Sequence, residues 1–266
     1  MEKGISFYFG FDIDPETRAK MIKKAGFDCV ITSADKKLNS SNGNIRKQIR
    51  LFKKYDLKLS SLHMAYNTED LHYFWEEGKM GDKMTKNLIK DVKIAKKYGF
   101  TCVVVHLFGE YSELGKNRLL KVLQVCEKYK IPLAIENIDC PPLFKRVFEE
   151  IDNKYMKFCY DSGHNNVYDK GFDYLNTYGD KLITLHLHDN MEDDDSHTIS
   201  RYGNIDWNKI AESLKDKDII LDYEMLLVKK GDLTPDTCLI ETKKMADELE
   251  NLINKARGKK QRKQLG

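Results

Sequence analysis

Cysteine is scarce in this 266-residue chain, and none of it is spaced for metal or redox work. The six residues Cys29, Cys102, Cys126, Cys140, Cys159 and Cys238 include no CxxC pair, which excludes a cysteine-held structural zinc. Several fall in apolar runs and read as reduced, mostly buried thiols of a reducing compartment. No run approaches the ~20 apolar residues that cross a bilayer, and the N-terminus lacks a charged segment followed by an apolar one. A cytoplasmic protein without membrane contact is expected. Strong charge of one sign is missing too. The 45 Lys and Arg against 42 Asp and Glu leave +3, too little by itself to argue for nucleic acid. Part of that excess lies in residues 257–266, which read as a basic, disordered, solvated tail.

The chain does have a repeating pattern. Hydrophobic residues make up 41%, ample for a core, and short β-branched or aromatic runs alternate with longer amphipathic ones. The runs predict strands at Ile5–Phe9, Cys29–Thr32, Leu57–His63, Thr101–His106, Pro132–Ile135 with Glu136, Met156–Tyr160, Leu182–Leu187 and Ile219–Glu224. Helices are predicted at Glu16–Lys24, Asn44–Tyr55, Thr85–Tyr98, Leu119–Lys130, Leu143–Ile151, Phe172–Tyr178, Trp207–Leu214 and Thr237–Ala256. Eight β-then-α units in about 250 residues describe an α/β fold, a single-domain (β/α)8 TIM barrel over residues 1–256.

A barrel places its site at the C-terminal ends of the strands, so those ends should carry chemistry. His63 ends the third, His106 the fourth, Glu136 the fifth, Asp161 the sixth, His186 the seventh and Glu224 the eighth. His164 follows the sixth strand closely, and Asp195-Ser-His197 follows the seventh. Buried carboxylates and imidazoles without a counter-charge would each cost several kcal/mol, and a divalent cation removes that cost. His and Asp donors suit zinc or manganese. His188 is expected to face away from His186 and to act only behind the ligands. His72, in a connection, lies outside the pattern.

Read in order, His63, His106, Glu136-Asn137, Asp161-Ser-Gly-His164, His186-Leu-His-Asp-Asn, Asp195-Ser-His197, Gly203-Asn-Ile-Asp-Trp207 and Glu224 resemble the xylose-isomerase-like barrel superfamily. The resemblance covers strands two to eight and is most specific from His186 to Trp207. It implies one of two ligand sets. In the sugar and sugar-phosphate isomerases and epimerases one divalent ion would be held by Glu136, Asp161, His186 and Glu224. In the branch of endonuclease IV, an abasic-site nuclease, three zinc ions would be held by His63, His106, Glu136, Asp161, His164, His186, Asp195, His197 and Glu224. One to three ions, Zn2+ or Mn2+, are therefore expected.

A duplex partner would need Lys and Arg clustered at the barrel mouth. The loop after the second strand carries only Lys36 and Lys37, and Asn190-Met-Glu-Asp-Asp-Asp195 is acidic and repels phosphate. Nucleic acid is thus disfavoured, though the nuclease ligand set keeps it open. The expected activity is metal-dependent isomerisation or epimerisation of a small carbohydrate, free or phosphorylated, by proton transfer and a metal-stabilised enediolate. Glu136 and Glu224 would double as ligands and acid/base groups, and His164 would polarise a substrate oxygen. His63 and His106 border the same mouth as substrate contacts. Trp75 is a candidate to stack on a sugar ring or to serve as core or lid, and Arg201 to meet a phosphate or carboxylate. Assembly into a homo-oligomer stays open.

Overall fold

Eight parallel strands form one sheet in the order β7-β6-β5-β4-β3-β2-β1-β8. They are β1 (Lys3–Ser6), β2 (Cys29–Ser33), β3 (Lys58–His63), β4 (Cys102–Val105), β5 (Leu133–Glu136), β6 (Met156–Asp161), β7 (Leu182–His186) and β8 (Leu221–Tyr223). This computed structural model describes residues 1–33, 43–64, 68–199, 202–226 and 231–264. The ring closes between β7 and β8 by a single bridge, Leu187 to Tyr223. There the Leu187 amide donates to the Asp222 carbonyl at 2.8 Å and the Glu224 amide to the Leu187 carbonyl at 3.1 Å. The architecture is a nearly closed (β/α)8 barrel, as the alternating pattern predicts.

Nine α-helices among the described residues surround the strands: α1 (Pro15–Lys24), α2 (Ile45–Lys54), α3 (Lys79–Tyr98), α4 (Glu113–Tyr129), α5 (Pro141–Glu150), α6 (Ser162–Tyr168), α7 (Tyr174–Tyr178), α8 (Trp207–Leu214) and α9 (Pro235–Gln264). Their starts are chemically specified. Asp14, Asn44 and Ser112 each accept a hydrogen bond from the backbone N–H three residues on, and Gly99 ends α3 in the left-handed region at φ 87°. Several boundaries differ from the sequence reading. The first strand begins two residues earlier, α4 begins at Glu113 because Ser112 caps it there, and α9 continues past Ala256 to Gln264. A 3-10 turn at Thr68–Phe74 and the short helix α6 had no periodicity long enough to read.

The main apolar core lies between strands and helices, and a second, small cluster of Cys102, Val104, Ala134 and Cys159 is separate from it. Asp222 is a buried polar group among the strands. Fully buried in β8, it accepts hydrogen bonds from Ser60 of β3 and, at 3.3 Å, from Thr184 of β7. Gly4 makes room for this carboxylate, since a Cβ there would overlap Asp222 Oδ1. Burial pushes the Asp222 carboxyl up to about 7, although the Ser60 bond and the His186 charge oppose it.

Candidate metal centre

The strand ends converge as the barrel requires. Glu136, the last residue of β5, is the hub: its Oε2 lies 3.1 Å from His106 Nε2, 3.6 Å from His63 Nε2 and 3.0 Å from His186 Nδ1, and its Oε1 lies 3.2 Å from His164 Nδ1. His186 Nδ1 is also 3.4 Å from Glu224 Oε2. Asp161 caps α6 by accepting from the His164 amide at 2.7 Å, which fixes both residues at once. Asp195 Oδ2 stands 3.1 Å from both His164 Nε2 and His197 Nε2. All nine residues expected as ligands from the sequence therefore meet at one mouth. Donor atoms of eight of the nine, all but His106, fall with His188 into three groups, each within 4.8 Å: His63, Glu136, His186; Glu136, Asp161, His186, Glu224; and His164, His188, Asp195, His197.

Crowding of this kind is not resolved by hydrogen bonds. Both Glu136 oxygens, both His186 nitrogens, His164 Nδ1, His188 Nδ1 and Asp195 Oδ1 are buried with no hydrogen-bond partner. Such orphaned donors and acceptors, all of types that ligate divalent ions, fit a cation. With no ion the charges must balance among themselves. Burial opposes ionisation of Glu136, yet the surrounding charge of His186 and His106 holds it well below the usual carboxylate range. Burial likewise opposes the imidazolium forms, but nearby carboxylates raise His164 well above normal, Cys159 and then Glu224 and Glu136 do the same for His186, and Asp195 chiefly raises His197 to about 9. His106 goes the other way, because burial outweighs the pull of Glu136.

His188 corrects the sequence reading. Residues two apart on a strand share a face, so His188 points into the same mouth as His186. Its Nε2 lies 3.0 Å and 3.1 Å from the two Asp161 oxygens, and its ring stacks on His197 at 3.8 Å. Gly163 is the residue that permits this, since a Cβ there would overlap the His188 ring. Asp189 was also missed as a structural anchor. Its carboxylate accepts from the Trp207 indole at 2.8 Å and the Ile205 amide at 3.1 Å, and its backbone pairs with Thr198. These contacts pin the loop that delivers Asp195 and His197. His197 itself sits at φ 47°, held by its Nδ1 against the Glu224 carbonyl at 2.8 Å.

Two other candidates remain, Trp75 and Arg201. Trp75 is 3% exposed and packs against Gly115 and Tyr111, so it fills core rather than offering a stacking face. Arg201, like Lys36 and Lys37, lies outside the described residues. His72 lies 3.9 Å from Glu76 and against the Tyr73 ring. All six cysteines are free thiols, and among the described residues no helix is long and apolar enough to cross a membrane.

The fold and site together are those of a (β/α)8 barrel whose strand ends gather histidines and carboxylates at one mouth. The chain belongs to the family described as Xylose isomerase-like TIM barrel, which matches residues 19–238. Among solved structures it is similar to a D-tagatose 3-epimerase-like protein, with 19% identity, a TM-score of 0.78 and coverage of 96% of this chain and 99% of that one. The IOLI protein with a bound zinc atom superposes with a TM-score of 0.76 at 16% identity over 94% of this chain and 98% of that one. Uncharacterized protein MJ1614 of Methanocaldococcus jannaschii is 26% identical over 92% of this chain and 99% of its own length. The match to Uncharacterized protein y4fM of Sinorhizobium fredii, 28% identical over 41% of this chain, spans only 34% of that protein.

Proposed function

We propose that the protein is a divalent-metal-dependent isomerase or epimerase of a small sugar or sugar phosphate. The observation that carries this reading is the approach of one donor atom each from Glu136, Asp161, His186 and Glu224 to within 4.8 Å. The described epimerases of the same fold, among them a D-psicose 3-epimerase of Clostridium cellulolyticum H10 with D-tagatose, support it. A divalent ion held by these four residues would polarise a substrate carbonyl and its neighbouring hydroxyl.

The protein's own groups then move the proton. Glu224 is the more accessible carboxylate, with 11% of its side chain exposed against none for Glu136. It takes the proton from the carbon beside the carbonyl, and Glu136, on a strand three places round the ring, returns one from another side once it has itself taken up a proton, since its resting form is the carboxylate. Return to the same carbon epimerises, and return to the neighbouring carbon isomerises. His164, protonated because its carboxylate neighbours outweigh burial, donates to a substrate oxygen. The test is turnover of a ketose panel, D-tagatose, D-psicose and D-fructose with their phosphates, by protein loaded with Mn2+ or Zn2+. Glu224→Gln is expected to lower kcat by about 10²–10⁴-fold. Full activity in that variant would remove Glu224 from the mechanism.

A second reading has its own observation. His63 beside Glu136, and His164, His188, Asp195 and His197 together, supply more donors than one ion uses. This favours a multi-zinc phosphodiesterase acting on abasic-site DNA. About three zinc per chain, with cleavage of an abasic-site duplex and no ketose turnover, would establish it over the isomerase.

A further inference from the structure

We propose that Tyr168 is a substrate-contacting residue, its phenolic O–H donating to an oxygen of the ligand that enters the barrel mouth. The inference rests on the reading of that mouth as the active site and adds a residue to it.

Tyr168 closes α6, four residues after His164, so the two side chains share one face of the helix. Their rings lie 5.7 Å apart at 40°, the phenol tilted over the imidazole that touches Glu136 and Asp195. The ring is half-buried. Its ring contact with His164, whose nitrogens face Glu136 and Asp195, sets the phenol beside the donors. A phenol holds its proton at neutral pH, so it acts as a donor.

Its hydroxyl has no hydrogen bond to any described residue. Tyr223 likewise buries a hydroxyl with no partner among the described residues, whereas three other tyrosines make such a bond. Tyr160 donates to Asn165 at 3.2 Å, Tyr174 to Asp169 at 2.9 Å and Tyr55 to Glu16 at 3.0 Å. A free phenol beside crowded, acceptor-rich ligands suits a polyhydroxylated substrate, whose hydroxyls and carbonyl can accept its proton while its apolar ring edge lies along the phenol face.

Tyr168→Phe separates the hydroxyl from the ring, and Tyr168→Ala removes both. In metal-loaded protein the Phe variant is expected to lose about three- to tenfold in kcat/KM on the ketose that wild type converts, the loss of one hydrogen bond, with metal content and Tm unchanged. The Ala variant is expected to lose more. A readout independent of turnover is the tyrosine ultraviolet difference spectrum on adding D-tagatose, expected in wild type and absent in Tyr168→Phe. If wild type converts no ketose but cleaves bis(p-nitrophenyl) phosphate, the isomerase reading fails and the same kcat/KM comparison, run on the diester, still judges Tyr168. Kinetics and spectra in Tyr168→Phe matching wild type would overturn the proposal while leaving the isomerase reading intact. Wild type inert to both probes, with no spectral change, overturns both.

Discussion

Gly163 has no room for a side chain because the His188 ring fills the space. Gly163→Ala should therefore displace His188 from Asp161 and His197, costing about 1–3 kcal/mol as overpacking does. Thermal denaturation and metal analysis check this, and a variant with wild-type Tm and metal content would contradict it. Protonation offers a second test. His197 has a folded pKa near 9 against an ordinary 6.5. The stability this contributes is complete below about 6.5 and is lost as pH rises through about 9. His164 and His186 shift in the same direction. Binding an ion requires neutral imidazoles, so affinity should grow over the same interval. Chelated protein is expected to lose Tm from pH 6.5 to 9 while the increment from added Zn2+ widens. A flat Tm in the chelated form would count against this balance of charge. The strand-end donors were legible because each follows an apolar run. His188 was misread by assigning residues two apart to opposite faces, and the left-handed backbone of His197 leaves no mark in the sequence.

Among the elements, the connection from β3 to α3 is held by a residue far along the chain. Arg118 of α4, 3% exposed, donates to the carbonyls of Tyr73, Phe74, Glu76 and Gly78 and pairs with Asp82 at 3.0 Å. Gly81 and Gly115 make the approach close: a Cβ at the first would strike Arg118, and at the second the Trp75 ring. Arg118→Ala orphans several carbonyls at about 1–3 kcal/mol each if they stay dry, so a loss of about 3 kcal/mol or more is expected. Urea unfolding measures it, and hydrogen exchange should quicken first over residues 72–78. Helix positions were readable from period and caps because those signals are local. The role of Trp75 was not, since the partners that bury it lie some forty residues away. The Asp189 anchor is similar: its signal was the Gly203-to-Trp207 wording, with no way to see that Gly203 clears space for that carboxylate.

At the scale of the molecule, eight alternating units sufficed to read the barrel, because helix and strand periods are distinct and one ring uses the whole repeat. How evenly the ring is joined could not be read, since strand pairing depends on register. Where β7 meets β8 there is one bridge in place of a ladder. His186 stands on one side of that gap and Glu224 on the other, and the His197 imidazole reaches the Glu224 carbonyl. An ion taken up by His186 and Glu224 would thus work as a clasp across the thinnest seam of the cylinder. Stripping it should let the Leu187 and Glu224 amides exchange faster than those along β3 and β4, as mass spectrometry would record. Loss of catalysis and loosening of the staves would then be one event, with chelators springing the hoop as they silence the enzyme.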